Sequence, residues 1–130
     1  MSPTEAPSAC EGEGEHVRLA RRIAQGLASG LNAFVVDKRL DNYEEALKIV
    51  NLLNMRQLIL VKDLGALSVI YLDKSVLERR CMYDSCASID NRVEKELCAR
   101  RCASEAVTSL LPTIVKSLCD AARALDQQAT

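Results

Sequence analysis

Four cysteines, Cys81, Cys86, Cys98 and Cys102, constrain this chain more than any other feature. Counting along the chain, the midpoint between residues 81 and 102 falls near residue 91, and that between 86 and 98 falls at residue 92. Segment 87–91 reads as a turn, with Asp90 placed to cap the helix that follows. Two antiparallel helices folded at that turn set Cys86 opposite Cys98 and Cys81 opposite Cys102. That geometry suits two nested disulfides across a helical hairpin, each contributing about 3 kcal/mol in the chain-entropy model. Cys10 and Cys119 remain, as a third pair or as free thiols. The rival is a four-cysteine metal site. Structural zinc prefers close pairs such as CxxC on tight turns, and an iron–sulfur cluster asks for similar knuckles. CMYDSC and CARRC have longer gaps, and the single histidine, His16, is far away in sequence. Disulfides are the expected reading, with no metal and no cofactor, although spacing alone does not prove connectivity.

The N-terminus is polar and acidic, with no apolar core of a signal peptide, and no apolar run reaches the ~18 residues of a membrane span. Six cysteines in an unsecreted chain either bind a metal or belong to a source that tolerates intracellular disulfides, for which hyperthermophilic archaea are the known exception. The expected architecture is all-α: a single helical domain over 16–130 built of helical hairpins, one of them stapled, behind an extended N-terminal arm at 1–15. Pro, Ser, Gly and Glu dominate the arm, which has little to bury. Its glutamates, Glu5, Glu11, Glu13 and Glu15, are available to arginines of a neighbouring subunit, and Cys10 could tie the arm down.

A first helix is expected from about His16 to Val36, then a turn over 37–42, where Asp41 or Asn42 could cap the next helix. That helix, YEEALKIVNLLNM, carries Ala46, Ile49, Val50 and Leu53 at helical spacing. Residues 57–72 are ambiguous. Leu60, Leu64, Leu67 and Tyr71 lie on a helical stripe, yet two apolar runs separated by Asp63-Leu64-Gly65 also suit a β-hairpin. The helix is favoured; the alternative is an α+β fold with a small hairpin at 57–72. Asp73 reads as the cap of a helix from Lys74 to about Cys86. Residues 91–110 are helical in pattern, and Pro112 should kink or restart the helix. Ile114, Val115, Leu118, Ala122 and Leu125 form the apolar face of the last segment, and the tail from Asp126 onward is expected to fray.

The best nucleic-acid candidate is the stretch 17–40, VRLARRIAQGLASGLNAFVVDKRL. Arg18 and Arg22 lie one turn apart, with Arg21 beside them, and Gly26 and Gly30 share the same spacing. Two helical glycines cost about 1 kcal/mol each relative to alanine, and the close approach of another backbone, a helix or a sugar-phosphate strand, would offset that. The plain alternative is a packing helix with a solvated arginine end. Twin arginines also flank the cysteines, Arg79-Arg80 and Arg100-Arg101, and the hairpin would bring these four to one end. With Arg18, Arg21 and Arg22 they could form a basic seam, unless Glu78, Glu94, Glu96 and Glu105 neutralise them at helical spacing. The net charge of −1 means that any polyanion binding comes from such local clusters. With only Phe34, Tyr43, Tyr71 and Tyr83 as aromatics and no Trp, binding of single strands by base stacking is not expected.

No enzyme is expected. There is no phosphate-cradling glycine loop, GxSxG elbow or HExxH, and GEGE at 12–15 follows no strand. A cysteine nucleophile served by His16 has no support in the spacing.

A polar arm at 1–15, an arginine-bearing, glycine-spaced helix at 17–40 and a cysteine hairpin at 81–102, in a small low-aromatic chain, together resemble something known. They resemble the major capsid proteins of filamentous viruses of hyperthermophilic archaea, of the tristromavirus kind. The resemblance implies a virion protein that pairs as a dimer, with itself or with a paralogous capsid subunit. It implies that the dimer wraps double-stranded DNA without sequence specificity, inside a filament surrounded by an envelope. In such an assembly each repeated subunit needs to neutralise only a few phosphates. Two other readings stand beside it: the small helical subunit of an archaeal CRISPR interference complex, which a β-hairpin at 57–72 would favour, and a helical adaptor that binds a partner protein.

Overall fold

The computed structural model describes residues 10–53, 55 and 58–128. It overturns the all-α expectation: the fold is α+β, four helices and a three-stranded antiparallel sheet. In order, the elements are α1 (Glu15–Ala28), β1 (Ala33–Asp37), α2 (Tyr43–Asn51), β2 (Ile59–Asp63), β3 (Leu67–Leu72), α3 (Lys74–Tyr83) and α4 (Arg92–Gln128). They form two compact units, one running up to Leu72 and resuming at Pro112, the other spanning Asp73–Leu111.

The first correction lies in the stretch expected to be one helix from 16 to 36. α1 stops at Ala28 because Ser29 turns extended, its hydroxyl donating to the Gly26 carbonyl at 2.6 Å. Asn32 then takes a left-handed φ of 52°, which asparagine tolerates better than most residues. Its side-chain amide donates to the Leu27 carbonyl at 2.8 Å, satisfying a helix end that would otherwise be orphaned. The chain reverses, and AFVVD emerges as β1. Its β-branched pair suits a strand, and β3 supplies the ladder: Ala33 opposite Tyr71, Val35 opposite Val69, Asp37 opposite Leu67.

The second correction is at 57–72. Residues 56 and 57 lie outside the described residues; from Ile59 to Leu72 the chain is a β-hairpin, not the favoured helix. Gly65, at φ 93°, makes the turn between β2 and β3, a conformation that glycine adopts without strain. β3 is central, so the sheet order is β1-β3-β2. Val36, Ile59, Ile70 and Leu72 are buried on its inner face. α1 packs against that side, supplying Ala20, Ile23 and Leu27 to the core. Gly26 makes this approach possible. A Cβ there would lie 2.7 Å from the Phe34 Cβ and 2.8 Å from the Ala33 carbonyl oxygen. Gly26→Ala is therefore expected to destabilise the protein by about 1–2 kcal/mol in urea unfolding, overpacking outweighing the gain in helix propensity. A stabilised variant would show that β1 can shift away freely.

The remaining core of this unit comes from α2, through Ala46, Ile49 and Val50, and from the last part of α4, through Ile114, Val115, Leu118 and Ala122. α4 is one 37-residue helix that runs through Pro112, and the boundary between the two units falls at that proline. The tail expected to fray from Asp126 remains helical to Gln128.

The second unit is α3, its connecting turn and the first part of α4. Asp73 caps α3, accepting from the Ser75 amide at 3.1 Å. α4 is capped by Asn91, which accepts from the Glu94 amide at 3.1 Å, rather than by Asp90. Its small core is built around Cys81, Cys86 and Ala99. Disulfides join Cys81 to Cys102 and Cys86 to Cys98, with Cα atoms 6.1 and 6.0 Å apart, the same pairs that the midpoints set opposite each other. A core this small gains from covalent staples. The third bridge, Cys10–Cys119, lies in the first unit, with both cysteines fully buried.

Candidate functional site

The densest constellation of chemistry-bearing groups lies in the first unit, around the single histidine. His16 sits in the first turn of α1 and is buried. Its Nδ1 is 2.7 Å from Asp126 Oδ1, and its Nε2 hydrogen-bonds to Glu45 Oε2. Asp126 also accepts from the His16 amide at 2.9 Å and the Val17 amide at 3.2 Å, capping the helix from another segment of the chain. Such a carboxylate satisfies two orphan donors and meets the positive end of the helix dipole. Gly14 leaves room for it: a Cβ there would collide with the Asp126 carboxylate.

A carboxylate on each ring nitrogen favours the imidazolium form, in which both nitrogens donate. Burial disfavours that charge, but the hydrogen bonds and charges of Glu45 and Asp126 outweigh it, and the His16 pKa is raised above 6.5. Glu45 is held below the usual carboxylate range by its hydrogen bonds from His16 and Lys48. Burial pushes Asp126 up, yet hydrogen bonds from the His16 backbone and ring and from Val17 carry it below its ordinary value. Chemically the cluster is a latch. The ring has no nitrogen left for a substrate proton, and the two carboxylates converge on the ring rather than on a vacant point. Among the described residues no group of three His, Cys, Asp or Glu side chains is arranged to hold a metal.

The latch joins α1, α2 and the end of α4, and the segment before α1 is held beside it. Residues 1–9 of the expected arm lie outside the described residues. Cys10 is bonded to Cys119, and Arg21 donates to the Cys10 carbonyl at 2.6 Å and the Gly12 carbonyl at 3.0 Å. Of the arginines singled out on α1, Arg21 is thus engaged with the chain's own backbone. Arg22 pairs with Asp41 at 2.9 Å and lies 5.4 Å over the Phe34 ring. Asp41 in turn accepts from the Asp37 amide, protecting the edge of β1, and its pKa is lowered by that bond and by Arg22. Arg18 is exposed, with no partner among the described residues. Gly26 is occupied by β1, and Gly30 lies beyond the helix in open space.

In the second unit, Arg79, Arg80, Arg100 and Arg101 are all exposed. Arg79 and Arg100 border one shallow groove together with Glu78 and Glu96. Arg101 borders another, with Glu94, Leu97 and Glu105. Despite these neighbours, none of the four arginines makes an ion pair among the described residues; the one pair along this stretch is Arg92–Glu96 at 3.6 Å. The unit carries seven basic and seven acidic side chains, and Glu78, Glu94, Glu96 and Glu105 border the same grooves as Arg79, Arg100 and Arg101.

The latch is not legible along the chain. In the sequence His16 reads as a distant metal ligand or base, Glu45 as a first-turn acid of α2, and Asp126 as part of a fraying tail. The one available signal is a lone histidine at the start of an amphipathic helix, a position whose buried face needs polar partners. No helix among the described residues is long and apolar enough to cross a membrane. Comparison with known proteins finds no family model, no curated relative and no solved structure that matches this chain.

Proposed function

We propose that this chain is a non-enzymatic structural subunit that binds double-stranded DNA through its phosphates and assembles into a helical filament, as the capsid resemblance implies. The observation that carries this reading is the set of four exposed arginines on the stapled hairpin, Arg79, Arg80, Arg100 and Arg101, without ion-pair partners among the described residues. Arginine in this state is free to make charge-assisted, bidentate contacts to phosphate oxygens, which position a duplex without reading its sequence. The Cys81–Cys102 and Cys86–Cys98 disulfides cross-link the segments that carry those arginines. The partners in this reading are double-stranded DNA, a second copy or a paralogous subunit, and an envelope around the virion.

On α1 the reading narrows to Arg18, because Arg21 and Arg22 have structural work to do. The sharper test uses the hairpin. Replacing Arg79, Arg80, Arg100 and Arg101 with alanine is expected to weaken binding to linear duplex DNA at moderate salt. It should also flatten the dependence of log K on log salt by about one unit for each phosphate that is no longer neutralised. Unchanged affinity and slope would remove the hairpin from the interface. Electron microscopy of the chain with linear DNA separates the wider readings. Regular filaments with nuclease-protected DNA support the capsid subunit. Discrete nucleoprotein particles would favour the interference-complex subunit, the reading to which the hairpin of β2 and β3 lends weight. Absence of bound nucleic acid would favour a protein-binding adaptor.

A further inference from the structure

The three strands are apolar on both faces, the pattern of strands covered on both sides, yet α1 packs on the inner face alone. The outer face is ordered by the strand register into rows. Tyr71 lies opposite Leu60, Val69 lies between Val35 on β1 and Lys62 on β2, and Leu67 lies opposite Asp37. Val35 is 53% exposed and Leu67 40%, Leu64 at the β2–β3 turn is 55% exposed, and Ala33, Leu60, Val69 and Tyr71 are half-buried. A contiguous apolar sheet face left open to water marks an interaction surface.

We propose that a second copy of this chain covers that face, in a sheet-on-sheet dimer whose two-fold axis runs along β3. Charge selects the axis. The polar groups of the face sit on opposite outer strands, Lys62 on β2 and Asp37 on β1, where one Asp37 carboxylate oxygen accepts from the Arg39 amide at 2.9 Å and lies 3.7 Å from the Arg39 guanidinium. Lys62 is exposed and has no partner among the described residues. A two-fold axis along β3 lays β1 of one copy over β2 of the other, bringing each Lys62 within reach of the other copy's Asp37. An axis across the strands would instead stack like strand on like strand and set Lys62 against Lys62. Val69, in the middle row, packs on its own counterpart, and the two sheets form an aligned sandwich. Three strands of about five residues make a panel at the small end of specific interfaces, so the dimer is of moderate affinity. The choice of a like partner rests on the assembly reading, but the surface is tested without DNA, so loss of DNA binding leaves it standing.

The experiment is sedimentation equilibrium of the oxidised chain alone, from about 1 µM to about 1 mM. A monomer–dimer equilibrium is expected, with Val69→Lys monomeric throughout. Lys62→Glu and Asp37→Lys should each weaken self-association by about tenfold. Mixed in equal amounts, these two variants should recover wild-type affinity as a heterodimer, because each then supplies the charge that the other lacks. A variant that merely unfolds cannot give that recovery. A wild-type chain monomeric at every concentration, a dimer indifferent to Val69→Lys, or a mixture without recovery would overturn the proposal.

Discussion

Replacing Cys10 and Cys119 with serine is expected to lower the unfolding free energy by about 4–5 kcal/mol, the largest single effect of any bridge in the protein. The reason is loop length. This bridge spans 109 residues, against 21 for Cys81–Cys102 and 12 for Cys86–Cys98. The chain entropy removed from the unfolded state grows with the logarithm of that length, so the two hairpin bridges are each expected to contribute about 3 kcal/mol. The native side adds to the difference: both cysteines are fully buried, and serine hydroxyls would need partners there. Thermal unfolding by circular dichroism should show a loss of about 15 °C for the double variant. A change under about 3 °C would show that the first unit holds its N-terminal segment without the bridge. Free-thiol titration of the denatured wild-type chain without reductant should find none; six free thiols would dismiss all three bridges.

His16→Ala is expected to cost about 2–3 kcal/mol near pH 6, because it leaves Glu45 and Asp126 as half-buried carboxylates facing an empty space. The two side chains are about one-fifth exposed, and that access to water keeps the cost below that of a fully buried pair. The variant should also change the shape of the pH profile. The folded pKa of His16 is raised above 6.5. Its contribution is therefore complete below the unfolded value and disappears as pH rises through the folded one. Glu45 and Asp126 are lowered from 4.5 and 3.8. Their contributions are present above those values and disappear as pH falls through the lowered ones. Wild-type stability should thus fall on the alkaline side as the imidazolium loses its proton, and again in acid. His16→Ala should lose the alkaline fall. A variant that retains it, in urea unfolding measured from about pH 5 to about pH 9, would assign that slope to other groups.

Features governed by short-range rules are legible in the order of residues alone. The nested cysteine pairs follow from equal spacing about a turn, because an antiparallel hairpin equates sequence distance with height along the helices. The apolar faces of α2 and of the last part of α4, and the Asp73 cap, follow from local periodicity and one side-chain hydrogen bond. The misreadings cluster where the local pattern admits two answers. Leu60, Leu64, Leu67 and Tyr71 fit a helical stripe as well as two strands, and Gly26 and Gly30 read as a helix stripe running into AFVVD.

What the sequence determined by itself was the set of constraints that act within a turn or two, together with the stapled hairpin they imply. Tertiary structure alone decided that 33–37 is a strand, since its ladder partners in β3 lie 30 to 38 residues away. It alone decided that Gly26 accommodates that strand and that Arg21 and Arg22 bind the chain's own backbone and Asp41. It alone brought Asp126 to His16 across 110 residues. Backbone pairing and charge pairing are satisfied by whichever group the fold brings within hydrogen-bond reach, and spacing along the chain carries no record of that choice.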